Sequence, residues 1–172
     1  MKTGAWWSRF ERGLRSLTPL VLTLALVLVS VLPLRLPGFS SVTPVVALIA
    51  VYHWSIYRPD LLPLTGVFVI GLVQDALAGT PLGLTSLVLL LVQAVVVSQR
   101  RFFHGKSFLV EWWGFMLVAP VATLVSWMLA SAYFATLITP RPLGFQLLLT
   151  VALYPCFTWV FARAQYYLLR TA

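Results

Sequence analysis

The sequence predicts an all-α fold: a polytopic membrane bundle of about six transmembrane helices, in a single integral membrane domain over 1–172. Hydrophobic residues make up 60% of the 172 residues and charged residues only 9%, against about 45–50% and about 25% in soluble domains. A soluble fold of this composition would lack polar surface to cover itself, and the same apolar content excludes disorder. The mean hydropathy of +0.95 agrees with a membrane protein.

The first half of the chain predicts a basic cytoplasmic leader, 1–17, and three spans, near 18–34, 42–57 and 61–78. The first apolar run shows no small-residue cleavage site, so an uncleaved helix is expected. A turn at 35–41, containing a Pro-Gly pair, separates it from the second run. Pro59 disfavours helix at the residue before it and ends the second span.

The second half predicts three more spans, near 84–98, 112–138 and 145–166. The Gly79–Gly83 turn precedes the fourth run, which stops at Gln99 and leads into a loop reaching Glu111. Prolines inside the fifth and sixth runs are expected to kink or break them. Several runs are shorter than the ~20 residues of an ideal span, and interfacial anchors are expected to cover that mismatch.

The basic residues predict the orientation. Alternate loops place ten of the twelve on one side, which are Lys2, Arg9, Arg12, Arg15, Arg58, Arg100, Arg101, Lys106, Arg163 and Arg170. The other side holds Arg35 and Arg141. Basic residues concentrate in cytoplasmic loops, so this distribution predicts an even number of spans with both termini in the cytoplasm.

Little in the sequence points to catalysis, a cofactor or a metal. The pI of about 10.4 is explained by cytoplasmic loops, because the basic residues are too scattered for a nucleic-acid patch. Cys156 is the single cysteine, which excludes an intramolecular disulfide and thiolate clusters. His53 and Glu111 are expected as interfacial side chains. We therefore predict a non-enzymatic protein.

Asp75 is the one polar feature that stands out, because it lies inside the third apolar run. Helical spacing places it on one face with Gly71, Gln74 and Ala78. Such a face of small and polar residues is typical of a helix–helix contact. We expect Asp75 to organise such a contact. The alternative is that it binds a ligand or couples a proton, as ionisable residues at membrane depth can do. Gln93 in the fourth run is a second candidate for this network.

The stretch 44–83 resembles the MreD family of bacterial rod shape-determining membrane proteins. Three parts carry the resemblance: an aromatic-Trp-Arg-Pro exit from one helix, a Gly-Leu-x-Gln-Asp helix, and a Gly-x-Pro-Leu-Gly turn. The candidate interaction and packing residues among them are Trp54, Arg58, Pro59, Gly71, Gln74, Asp75, Gly79, Pro81 and Gly83.

The resemblance implies a role in assembly. MreD-like proteins scaffold the elongasome in the inner membrane, with MreC, the actin-like MreB, the polymerase RodA and a class B penicillin-binding protein as partners in lateral peptidoglycan synthesis. Their fold resembles the S components of energy-coupling-factor transporters. The alternative function is therefore a vitamin-binding S component, which would need a polar pocket open to the outside. Asp75, Gln74 and Thr80 are the residues expected to line one.

Overall fold

The computed structural model describes residues 21–29, 45–103, 107–136 and 141–170, and all regular structure within them is helical. Helix α1 covers 21–29. The later helices are α2 Val46–Tyr57, α3 Leu64–Ala78, α4 Leu84–Phe103, α5 Phe108–Phe134 and α6 Arg141–Arg170, with a 3₁₀ helix at Pro59–Leu61. The all-α prediction is confirmed for these residues. The predicted leader 1–17, the turn at 35–41, His104, Lys106 and the loop residues 137–140 lie outside them.

Helix α2 forms the centre of the bundle. Every residue from Val46 to Ile56 is buried, and only Tyr57 at its end is exposed. A helix that is apolar on all sides requires cover on all sides, and α3, α4 and α6 pack against it. Its 12 residues span about 18 Å, which is well short of a hydrocarbon core of about 30 Å.

Helices α5 and α6 are the two described helices that are long and apolar enough to cross a membrane, over Phe108–Phe134 and Pro142–Arg163. Large apolar side chains point away from the bundle along both: Leu117 is 73% exposed and Leu148 is 70% exposed. Helices α2, α3 and α4 form shorter apolar segments. The chain therefore pairs a buried central helix with two long helices that have apolar outer faces.

Several helices extend beyond the spans predicted for them. Helix α4 continues past Gln99, because arginine is a good helix former. Helix α5 already begins at Phe108 and takes Glu111 into its first turn, where a carboxylate interacts well with the helix dipole. Helix α6 starts at Arg141, so residues expected in a loop up to 144 open the helix instead. Pro120 and Pro155 lie within continuous helices and do not break them.

Candidate functional site

Helices α3 and α4 approach most closely at Gly71. A Cβ atom added there would lie 2.6 Å from the backbone nitrogen of Ser86, a separation that real Cβ atoms do not show. The Ser86 hydroxyl, itself buried, donates a hydrogen bond of 3.0 Å to the carbonyl of Phe68. Gly71 is thus required on α3 at the point where α4 crosses it. The hydrogen bond from Ser86 stabilises the two helices in this crossing.

The carboxylate of Asp75 holds the start of α4. Asp75 is fully buried, and its Oδ2 accepts the N–H of Gly83 at 2.9 Å. Both carboxylate oxygens accept the N–H of Thr85, at 3.1 and 3.2 Å, and Oδ1 accepts the Thr80 hydroxyl at 2.8 Å. The first N–H groups of a helix have no partner within the helix. Asp75 supplies that partner from the preceding helix, in the place of a capping side chain that Gly83 lacks.

Two glycines shape the turn that makes this capping possible. Gly79 ends α3 in the left-handed region at φ +68°, and its N–H binds the Asp75 carbonyl. Gly83 has φ +97°, and its carbonyl accepts the N–H of Leu87 as the first bond of α4. L side chains rarely adopt such angles. Between the glycines, the carbonyl of Pro81 accepts the N–H of Leu84 at 3.2 Å.

The face predicted on α3 divides into two. Gly71 and Asp75 are buried against α4, whereas Gln74 is half-buried and Ala78 is exposed. Gln74 and Ala78 instead line a cavity of about 280 Å³ that helices α2 to α6 enclose. Asp75 is absent from the lining of that cavity.

Gln93 lies outside the Asp75 network. Its Nε2 donates 2.8 Å to the carbonyl of Leu62, in the segment joining α2 to α3. Trp54 is fully buried, and its carbonyl accepts the N–H of Arg58, the residue that follows α2 and caps it. Pro59 then opens the 3₁₀ helix. The aromatic-Trp-Arg-Pro segment thus ends α2. It leads directly to the Leu62 carbonyl, which accepts a hydrogen bond from Gln93 of α4.

Glu111 joins α5 to α2 at the end of the bundle where α2 ends. It is only 3% exposed. The Tyr57 hydroxyl donates to its two carboxylate oxygens at 2.7 and 2.8 Å, and the Tyr52 hydroxyl donates to its backbone carbonyl at 3.0 Å. The expectation of an interfacial glutamate at a helix start missed this contact, because its partners lie more than fifty residues away in the sequence.

His53 is buried within the bundle, at 1% exposure, and the expectation of an interfacial side chain is wrong. Its ring stacks on Phe161 at a centroid distance of 5.3 Å and lies 4.7 Å from the ring of Tyr57. Tyr154 stacks on Phe115 at 4.5 Å. These rings fill the space between α2, α5 and α6. In the structure they pack the three helices together.

Within the described residues, no group of three or more His, Cys, Asp or Glu side chains is placed to hold a metal ion. The two buried carboxylates, Asp75 and Glu111, each accept hydrogen bonds that join helices. These hydrogen bonds hold α3 to α4 and α2 to α5 in a fixed register.

Residues 11–164 match the family described as rod shape-determining protein MreD. This match covers nearly the whole chain. The chain belongs to the MreD family. No curated protein and no solved structure matches it. The protein is therefore a rod shape-determining membrane protein, in agreement with its apolar helices.

In this member of the MreD family, the residues that carried the resemblance lie mainly in the α3–α4 hairpin. Gly71 allows the crossing, Asp75 caps α4, and Gly79 and Gly83 form the turn. Sequence reasoning missed Thr85, whose backbone N–H is the donor shared by both Asp75 oxygens. The signal that could have revealed it is the helix start directly after the Gly79–Gly83 turn, where the first N–H groups need an acceptor.

Proposed function

We propose that the protein is a non-enzymatic scaffold of the bacterial elongasome that links an MreC-like partner to lateral peptidoglycan synthesis and maintains rod shape. The observation that carries the proposal is the family match over residues 11–164. The hydrogen bonds of the two buried carboxylates support it, because both join helices. The partners are an MreC-like protein and, through the assembly, MreB, RodA and a class B penicillin-binding protein.

Aromatic residues on α5 support insertion across the membrane. Trp113 is 67% exposed and Tyr133 is 69% exposed, and their separation of twenty positions corresponds to a rise of about 30 Å. This is the thickness of a hydrocarbon core, and tryptophan and tyrosine favour its two interfaces. We propose that α5 crosses the inner membrane between these two side chains.

The charged residues support the proposed orientation. Arg58, Arg101 and Arg163 lie near the end of the bundle where α2 ends, while the α3–α4 turn lies at the other. Basic residues mark the cytoplasmic side. We infer six spans, with both termini in the cytoplasm and the α3–α4 turn facing outward.

Reporter fusions test the topology. Fusions at Ser40, Thr80 and Pro140 should report an outside location, and fusions at Lys106 and Ala172 an inside one. An outside signal at Ala172 would contradict the six-span arrangement.

Depletion in a rod-shaped host tests the role. Cells should become round and widen before lysis, and the tagged protein should co-purify with an MreC-like protein. Normal rods after clean deletion, together with tight vitamin binding by the purified protein, would favour the transporter alternative. The cavity beside Gln74 gives that alternative limited support, because no charged side chain is among its described lining residues.

A further inference from the structure

Pro155 removes one hydrogen bond from the middle of α6. The helix is continuous from Arg141 to Arg170, but proline has no N–H, so the carbonyl four residues earlier, that of Val151, loses its usual helical donor. The ring of a proline also crowds that carbonyl. Away from water an unpaired carbonyl is costly, and neighbouring helices commonly supply the missing partner. The Val151 carbonyl therefore needs a donor from another helix.

The side chain of Trp112 on α5 supplies this donor. Its indole Nε1 donates a hydrogen bond to the Val151 carbonyl at 3.3 Å. Trp112 is half-buried and packs against the apolar core, where an indole N–H usually has a partner. The bond is longer than the usual ~2.9–3.0 Å. It is therefore a weak bond that can open.

Different helices hold α6 on the two sides of Pro155. On the near side, Tyr154 stacks on Phe115 of α5 at a centroid distance of 4.5 Å. Beyond the proline, Phe161 stacks on His53 of α2 at 5.3 Å. The missing helical bond lies between these two contacts, and sharp bends in helices occur at proline. Pro155 is therefore the point at which α6 can change direction.

We propose that Pro155 and Trp112 form a latched hinge in α6. While the indole is bonded to the Val151 carbonyl, the segment 156–170 packs against α2, which is the arrangement in the structure. When the bond opens, α6 bends at Pro155, and the segment swings away from α2 and withdraws Phe161 from its stacked position. The segment carries exposed aromatic and basic side chains, so the latch sets where they lie relative to the end of α2.

A double-mutant cycle tests the latch. Trp112→Phe keeps a ring and removes the donor, and it should lower the folding equilibrium constant in mixed micelles about five-fold, the equivalent of one hydrogen bond. With Pro155→Ala in place, α6 itself supplies an N–H to the Val151 carbonyl, and Trp112→Phe should then cost little. Pro120→Ala is the matched control, because it restores an N–H within α5 and should leave the cost of Trp112→Phe unchanged. An equal cost with and without Pro155→Ala would overturn the proposal.

Distances between spin labels test the hinge in the full-length protein in nanodiscs. The labels are placed at Leu117→Cys on α5 and Ala162→Cys on α6, both exposed, in a Cys156→Ser background. We expect one distance population with Trp112 present, and a second population in Trp112→Phe that disappears when Pro155→Ala is added. If Trp112→Phe does not elute as a folded species in detergent, Trp112→Met removes the donor instead. A single unchanged population after loss of the donor would show that α6 does not bend at Pro155.

Discussion

Two buried carboxylates fasten opposite ends of this bundle in different ways. Asp75 accepts its hydrogen bonds from residues five to ten positions along the chain, and two of the three donors are backbone N–H groups. Glu111 accepts from the hydroxyl of Tyr57, which precedes it by 54 residues. The first carboxylate closes a local hairpin, and the second joins two helices that are distant in sequence.

The difference lies in what each contact demands of its surroundings. The Asp75 contact needs a close helix crossing at Gly71 and a turn whose glycines have positive φ angles. The Glu111 contact needs only a tyrosine at the correct height on another helix. Variants that disturb the backbone geometry around Asp75 should therefore destabilise the protein more than variants that remove the Tyr57 hydroxyl. The predictions below compare the stability lost at each end of the bundle.

The largest effect is expected from Gly71→Leu. The new side chain would meet the backbone of Ser86, which cannot move aside as a flexible side chain can. Overpacking costs about 1–3 kcal/mol and occasionally more. Because the clash is with backbone, we expect a loss at the upper end of this range and little folded protein in detergent. Gly144→Leu is the matched control, because no described residue from elsewhere in the bundle lies within 4 Å of a Cβ added there. Equal unfolding free energies of the two variants would contradict the close crossing.

Asp75→Leu should have the next largest effect. It leaves the N–H groups of Gly83 and Thr85 without their acceptor in a buried place, at a cost of about 2 kcal/mol. Unfolding in mixed micelles measures this loss. Asp60→Leu serves as the control, because Asp60 is exposed and exposed substitutions usually change stability by less than about 0.5 kcal/mol. A loss no greater than that of the control would show that Asp75 does not hold α4.

Tyr57→Phe should cost less, about 1 kcal/mol. It removes the donor to Glu111 and keeps the ring, and Tyr57 is 41% exposed, so water can replace part of the contact. A double-mutant cycle with Glu111→Leu, which removes the acceptor, isolates the pair. Purely additive effects in that cycle would mean that the two side chains do not stabilise each other.

The sequence predicted the hairpin better than it predicted the rest of the bundle, for a physical reason. Gly71, Asp75, Gly79 and Gly83 act on one another within a short stretch, so glycine positions and helical spacing reveal them. The pairing of Tyr57 with Glu111 leaves no such pattern, because each residue alone reads as an interfacial side chain.

The division of the α3 face was equally invisible in the sequence. Gln74 and Ala78 share a helical stripe with Gly71 and Asp75, but only the latter two are buried against α4. Which side of a stripe meets a neighbour depends on where the other helices pack, and α5 and α6 leave a cavity beside Gln74. Helical periodicity predicts which residues share a stripe. It does not predict which other helices pack against each part of that stripe.

The smallest effect is expected from Asp75→Asn, and it bears most directly on the role of the charge. An asparagine oxygen placed where Oδ2 lies still accepts the N–H groups of Gly83 and Thr85, and its amide nitrogen can donate to the Thr80 hydroxyl. The Oδ1 contact with the Thr85 N–H, the longer of its two at 3.2 Å, is lost. The interaction of the charge with the start of α4 is lost as well, which is about 0.3–1 kcal/mol. We therefore expect near-normal cell width in a complementation assay, at protein levels checked by blotting. Complete loss of rod shape at normal abundance, with Gly71→Leu tolerated, would show that Asp75 needs its charge for a ligand or a proton.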